Sequence, residues 1–373
     1  MTPPEPTPSP SGRPPRGPRL ASPGGRRAAV IGAGSFGTAL AVLLARGGLR
    51  TTLLARTPEQ AATLQADREN RAYLPGVALP QELRIDTLAA GLSRADLVFL
   101  AVPSNVLGEV VEGLRDAGLH RRAAIISAAK GLVPPHGQPP TVVLNARFDA
   151  QRVACLGGPA HAQEMVSAGA ALVAASHSEE LAGALAHTLT RAGVVCERSN
   201  DPLGVELAGA AKNAAALAAG ATEAQGLNAA GAAAGHIFAE VWRLAESLGA
   251  RPESMIGLAG AGDLVATALA PESRNRRAGE LLAAGVPARE IPAQIGQAVE
   301  ALESVPLLGQ ALQRAGVEAP VTVALGRLIS GELPLADWVA LVRATVPPPA
   351  LWRRRPKPGF WRRFWRRVRS GAA

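Results

Sequence analysis

The sequence predicts an α/β fold in which a doubly wound, mostly parallel sheet is followed by an all-helical half. Three observations predict it. Short apolar strands alternate with helical segments from Ala28 to Ser199, the pattern of a parallel sheet with crossover helices. A GxGxxG motif lies between the first strand and the first helix. After about residue 200 the strand signals stop and the rest reads as helix.

Residues 1–27 are rich in Pro, Ser, Gly and Arg and hold no apolar run of signal-peptide type, so a disordered leader is expected. Order begins at Ala28 with the short buried strand AAVIG, and GAGSFGTALAVLLARGG then opens a helix. Gly32 permits the tight turn, Gly34 lets the backbone approach a pyrophosphate, and Gly37 lets the helix pack on the sheet. Amides at the helix start meet the phosphate charge. A second strand at Thr51–Ala55 completes the βαβ frame, and in that context the motif reads as a dinucleotide-binding domain of Rossmann type. The second strand ends at Arg56, where an NAD site would carry a ribose-binding Asp or Glu. A guanidinium there suits a 2′-phosphate and favours NADP, the alternative being a surface arginine with no ligand.

Further strands are expected at Asp96–Val102, Ala123–Ser127, Val153–Gly157, Ala171–Ser176 and Val194–Ser199. Three run into small polar loops, Pro103-Ser104-Asn105, Ala129-Lys130-Gly131 and Gly158-Pro159-Ala160. Ligands bind outside the carboxyl ends of such strands, which places all three near the cofactor. Lys130 sits where it can neutralise a substrate charge. The expected division is a leader at 1–27, a dinucleotide-binding domain at 28–200, a helical substrate and catalytic domain at 201–346, and a tail at 347–373.

The helical half is organised around Gly204–Gly220, GVELAGAAKNAAALAAG. Its alanines favour helix, and a helix apolar all round is buried. An ammonium placed there loses solvation, which lowers its pKa and poises Lys212 for proton transfer; the alternative is a lysine whose stem lies on apolar surface while its head reaches water. Downstream, AGAGDLVAT puts Asp263 and Thr267 four residues apart on one helix face. There the carboxylate can hold an ammonium and the hydroxyl can touch a substrate oxygen, although Asp263 after Gly262 also reads as a helix cap. SRNRR, Ser273–Arg277, offers arginine, hydroxyl and amide groups at a helix start, a combination suited to phosphate.

Composition narrows the classes. The formal charge of +9 is concentrated at the ends: residues 347–373 carry nine basic and no acidic side chains, and residues 1–27 carry five Arg and one Glu. The remaining body is mildly acidic, which argues against nucleic acid as its partner. Cys155 and Cys196 form no CxxC pair and the six histidines show no ligand spacing, so neither a disulfide framework nor a metal is expected. The alanine-rich helix is too interrupted by charge to span a membrane, and a cytoplasmic location is expected.

These segments together resemble bacterial-type NAD(P)-dependent glycerol-3-phosphate dehydrogenase over roughly Ala28–Val346. The matching stretches are GAGSFGTALA, NRAYLPG, AVPSN, AAKGL, GGPAHAQE, GVELAGAAKN, AGAGDL, SRNRRAG and GQAVEA. The resemblance implies reversible reduction of dihydroxyacetone phosphate to sn-glycerol 3-phosphate with NADP or NAD, supplying phospholipid synthesis. It gives Lys212 the role of proton donor and acceptor. It places Lys130, Gly158, Asp263, Ser273, Arg274 and Asn275 at the substrate. It places Ser35, Phe36, Arg56, Lys130, Ala162, Arg274 and Glu300 at the cofactor. In the loop after Gly158-Pro159, this chain has Ala160 and His161 where the family usually has a hydroxyl residue followed by Phe.

Two rival readings remain open at this point. One is another two-domain dehydrogenase with a catalytic lysine, of hydroxyisobutyrate or ketopantoate type; the other is a dinucleotide-sensing protein without turnover. A homodimer is also expected. In the tail, Trp361, Phe364, Trp365 and Val368 share one helical face while arginines crowd the rest. That pattern is expected to give weak contact with an anionic membrane, against the alternatives of a solvated tail or nucleic-acid binding.

Overall fold

A computed structural model describes residues 26–346; the expectations for the leader up to residue 25 and for the basic tail lie outside the described residues. The strands are β1 (Arg27–Ile31), β2 (Arg50–Ala55), β3 (Glu69–Asn70), β4 (Leu74–Ala78), β5 (Arg84–Thr87), β6 (Leu97–Leu100), β7 (Ala124–Ser127), β8 (Val153–Gly157), β9 (Ala171–Ala175) and β10 (Val195–Ser199). Between them run helices α1 (Ser35–Arg46), α2 (Pro58–Asp67), α3 (Leu107–Asp116), α4 (Pro140–Asn145), α5 (Ala162–Ser167) and α6 (Glu179–Arg191). From Pro202 the described chain holds only helix: α7 (Pro202–Thr222), α8 (Leu227–Ser247), α9 (Pro252–Ile256), α10 (Asp263–Leu269), α11 (Arg274–Ala283), α12 (Ile291–Ile295), α13 (Glu300–Arg314), α14 (Pro320–Ile329) and α15 (Leu335–Ala344).

The main sheet has the order β10-β9-β8-β7-β6-β1-β2-β5. Its pairs are parallel except β8 with β9, which run antiparallel. Successive side chains on a strand point to opposite faces, so Ala28, Val30, Leu97 and Phe99 enter one core and Ala29, Ile31, Val98 and Leu100 the other. Both faces are covered, as a parallel sheet requires. Two features were not legible from apolar runs. The edge strand β5 reads RIDT, with Arg84 and Asp86 exposed, and β3 and β4 form a small antiparallel hairpin.

A third core fills the helical half, with α7 at its centre and Lys212 and Asn213 among its buried residues. The alanine and glycine content of α7 serves close approach. A Cβ on Gly220 would lie 2.1 Å from the Arg276 carbonyl oxygen, and one on Gly279 would lie 2.0 Å from that of Leu217. The backbones of α7 and α11 therefore touch, which fixes the first half of α11 beside the C-terminal end of α7. Two buried carboxylates hold other helix starts, where backbone N–H groups lack partners. Glu206 accepts from the Thr141 amide and hydroxyl at α4, and Glu240 accepts from the Val321 and Thr322 amides at α14.

Candidate active site

The loops after β6, β7 and β8 gather at the carboxyl edge of the sheet, against α7, α10 and α13. At the nucleotide end, Gly32 has φ +111, and a Cβ there would lie 2.4 Å from the Ala101 carbonyl oxygen. A Cβ on Gly37 would lie 2.0 Å from the Gly32 carbonyl oxygen. Protein packing alone thus demands glycine at both. Gly34 differs: a Cβ there meets no atom within 4 Å. Space is left in front of the α1 amides, which have no side-chain cap and no acidic residue in the first turn. A pyrophosphate fits that space and that field. Ser35 and Phe36 open α1, and Ala162 opens α5, which packs on it. Arg56 is exposed directly after β2, and its amide donates to Gln60 Oε1 at 3.1 Å.

Sequence reasoning assigned no role to Asn70, in the NRAYLPG stretch. Its buried amide donates to the Ala33 carbonyl at 3.0 Å and to Thr38 Oγ1 at 2.7 Å. The β3–β4 hairpin thereby clamps the glycine-rich loop.

The charged centre joins three elements. Lys130, after β7, donates to the Gly158 carbonyl at 2.9 Å and to Asp263 Oδ2 at 2.6 Å. Lys212 Nζ lies 3.1 Å from Thr267 Oγ1 and 3.4 Å from Asp263 Oδ1. One buried carboxylate therefore serves two ammonium groups, and the Lys212 side chain is only 9% exposed. Asp263 is no helix cap: its oxygens face lysines. It begins α10 after a π-helical turn, Leu258–Gly262; such turns are frequent at functional sites.

Burial, then the neighbouring Lys130 ammonium, pulls the Lys212 pKa from its ordinary 10.5 down to about 8, against the opposing pull of Asp263 and Glu300. Burial alone would raise Asp263, but the two lysines hold it below the ordinary carboxylate range. Burial raises Glu300, opposed by Arg274 and the lysines.

A polar relay links this centre to α11. Asn213 Nδ2 donates to the Lys130 carbonyl at 3.2 Å and to Glu300 Oε2 at 3.3 Å. Asn275 Nδ2 donates to Asn213 Oδ1 at 2.8 Å, and Asn275 Oδ1 accepts from the Ala301 amide. Ser273 caps α11 by accepting from the Arg276 amide. Arg274 is exposed and donates to the Ala298 carbonyl, whereas Arg276 is tied to Glu223 and Glu280. Arg274 is therefore presented at the helix start beside Asn275, and Arg277 is exposed further along the helix. A cavity of about 400 Å³ opens between Ser104 and Asn105 on the sheet side and Arg289, Ala298, Glu300 and Glu303 on the helical side.

Among the described residues no group of His, Cys, Asp and Glu has the arrangement of a metal site, and no single helix is long and apolar enough to cross a membrane.

The chain matches two family models, the NAD-dependent glycerol-3-phosphate dehydrogenase N-terminus over residues 27–182 and its C-terminus over residues 201–340. It is 41% identical over 315 residues to glycerol-3-phosphate dehydrogenase [NAD(P)+] of Deinococcus radiodurans, covering 83% of this chain and 92% of that protein. It is 40% identical over 308 residues to the Chlorobium limicola protein of the same name, covering 81% and 92% respectively. The crystal structure of glycerol-3-phosphate dehydrogenase from Coxiella burnetii superposes with a TM-score of 0.80 at 30% identity, over 86% of this chain and 99% of that one. A ketopantoate reductase from Ralstonia eutropha, at 19% identity and a TM-score of 0.54, shares the fold alone. The chain belongs to the NAD-dependent glycerol-3-phosphate dehydrogenase family.

Proposed function

We propose that this chain catalyses the reversible, NADP- or NAD-dependent reduction of dihydroxyacetone phosphate to sn-glycerol 3-phosphate, the step that supplies glycerol phosphate for phospholipid synthesis. The observation that carries the reading is a buried lysine, Lys212, sharing Asp263 with Lys130 at the carboxyl edge of a dinucleotide-binding sheet. Residues 28–200 form the dinucleotide-binding domain in this reading, and residues 201–346 the substrate and catalytic domain.

The bound dinucleotide supplies the hydride that adds to the ketone carbon. Gly34 and the amides of Ser35 and Phe36 hold its pyrophosphate, Arg56 meets a 2′-phosphate when one is present, and Ala162 and Glu300 border it. Lys212, protonated and steered by Asp263 and Thr267, stabilises the charge that develops on the carbonyl oxygen and delivers its proton there. Lys130 adds a second positive charge beside the Gly158 carbonyl and borders both cofactor and substrate. Ser273, Arg274 and Asn275 anchor the phosphate at the α11 start, so that binding energy remote from the reacting carbon orients the ketone. The test is direct: purified protein should oxidise NADPH or NADH when dihydroxyacetone phosphate is added, and not without it. No oxidation with the ketone present would overturn the reading.

The body is placed in the cytoplasm, with the basic aromatic tail giving weak, salt-sensitive contact with anionic lipid. The amphipathic spacing of Trp361, Phe364, Trp365 and Val368 supports that role. Co-sedimentation with anionic and neutral vesicles tests it. Equal pelleting of the full chain and of a chain ending at Val346 on anionic vesicles would discard the anchor. Assembly as a homodimer is favoured by exposed apolar side chains in the helical half, Ile256, Val265 and Leu269 among them, and light scattering of the full chain decides it.

A further inference from the structure

His161 stands at the N-cap position of α5, in the loop that follows β8. The backbone of that loop is fixed on every side. Lys130 holds the Gly158 carbonyl at 2.9 Å, the Pro159 carbonyl accepts from the Ala171 amide at 3.3 Å, and the His161 carbonyl accepts from the Met165 amide at 2.8 Å. A Cβ on Gly158 would lie 2.7 Å from the Ala171 carbonyl oxygen, so the loop cannot retreat toward β9. The His161 ring is half-buried. No protein group hydrogen-bonds its imidazole among the described residues. Its flanking residues, Ala160 and Ala162, bring no polar side chain.

The charged groups that act on the ring electrostatically come from four elements: Lys212 on α7, Lys130 after β7, Asp263 on α10 and Glu164 on α5 itself. Burial and then Lys212 lower the imidazole pKa below the ordinary histidine range, while Glu164 and Asp263 oppose them. The ring is therefore neutral at neutral pH, with one nitrogen donating and the other accepting. An alcohol needs that pairing, since a hydroxyl both donates and accepts. An imidazolium has no acceptor to offer.

We propose that His161 is a specificity-determining residue that hydrogen-bonds the free hydroxyl group of the ketone substrate. This rests on the dehydrogenase reading above. Lys130 ties the Gly158–His161 loop to Asp263 beside Lys212, so a substrate with its phosphate at the α11 start and its carbonyl at Lys212 would meet that loop with its third carbon and hydroxyl. Ala160 offers only a methyl group there, and His161 is the polar side chain that this loop presents. A site built around such a pair discriminates against an analogue that lacks it, because the site group is then left unpaired.

The test compares two substrates with NADPH: dihydroxyacetone phosphate, and acetol phosphate, the same ketone with a methyl group in place of the hydroxymethyl. The wild type is expected to favour dihydroxyacetone phosphate in kcat/KM. His161→Phe should lower that preference by about tenfold or more, the loss expected for a missing hydrogen-bond partner. His161→Asn, which keeps a donor and an acceptor, should retain most of it. The wild-type preference should also fall at acid pH as the imidazole takes up a proton, and His161→Asn should show no such fall. NADPH titration by fluorescence confirms that each variant keeps its dinucleotide site. An unchanged substrate ratio in His161→Phe, with the wild type active, overturns this proposal alone. A wild type that reduces neither ketone overturns the dehydrogenase reading and this proposal with it.

Discussion

Lys212 Nζ lies 3.4 Å from Asp263 Oδ1 while the other oxygen of Asp263 holds Lys130 at 2.6 Å. Two ammonium groups thus share one buried carboxylate, and the charge left over is positive. That arrangement suits an alkoxide-like transition state, which brings the missing negative charge.

Lys212→Ala is expected to lower turnover by about 10²–10⁴-fold, the usual size of a placed general acid, with NADPH binding nearly intact. Stopped-flow turnover together with a cofactor titration reads both quantities. Turnover above about one tenth of wild type would remove Lys212 from the proton-donor role.

Lys212 has its pKa lowered to about 8, and reduction needs its protonated form. The rate of reduction should therefore fall as pH rises through about 8, while oxidation of glycerol 3-phosphate, which needs the neutral amine as base, should rise over the same interval. Asp263→Asn leaves the two ammonium groups uncompensated, so the limb should move to lower pH. A pH–rate profile that stays flat from about pH 6 to pH 10 would break the link between this ionisation and catalysis.

Arg274 and Arg56 should separate by substrate. Arg274→Ala is expected to raise chiefly the KM for dihydroxyacetone phosphate. Arg56→Ala should weaken NADPH and spare NADH, because only NADPH carries the 2′-phosphate. Equal losses with the two cofactors would show that Arg56 does not read that group.

Gly34 offers a test of the nucleotide loop that leaves the fold alone. A Cβ there meets nothing within 4 Å, and φ is −79, so Gly34→Ala should leave the thermal midpoint unchanged or slightly raised. Cofactor affinity should drop by about tenfold or more, since the methyl group enters the space reserved for pyrophosphate. Unaltered affinity would mean that the cofactor does not approach this backbone.

Glu206 is fully buried at the α4 start, and burial raises its pKa from 4.5 to about 8 despite the hydrogen bonds from Thr141. Between those values the native chain holds a proton that the unfolded chain has released, so stability is lost as pH rises through the window. The loss is on the order of a few kcal/mol. Glu206→Gln keeps an acceptor for the Thr141 amide and cannot ionise. It should flatten the dependence of the thermal midpoint between about pH 5 and pH 9. A variant with the wild-type slope would place the titration elsewhere.

The sequence by itself determined the β1–α1–β2 frame, because the glycine spacing and the apolar run AAVIG are local signals of local geometry. It also determined that the helix carrying Lys212 would be buried, since a helix with no polar face has nowhere else to go, but it left open whether the ammonium itself reached water. It did not disclose β5, whose RIDT pattern belongs to an edge strand half in solvent. Nor did it disclose the clamp from Asn70 to the glycine-rich loop, because a buried asparagine is recognised only by its partners. Tertiary structure alone decided that Asp263 faces two lysines and does not cap its helix. Lys130 and Asp263 are 133 residues apart in the chain, and Lys212 and Thr267 are 55 apart. No propensity or periodicity spans such distances; the meeting is fixed by α7, whose Gly209 lies against Lys130 and on which α10 packs. The bond from Lys130 to the Gly158 carbonyl likewise ties the His161 loop to this centre, and desolvation, which depends on everything around a group, then shifts the pKa of each group there.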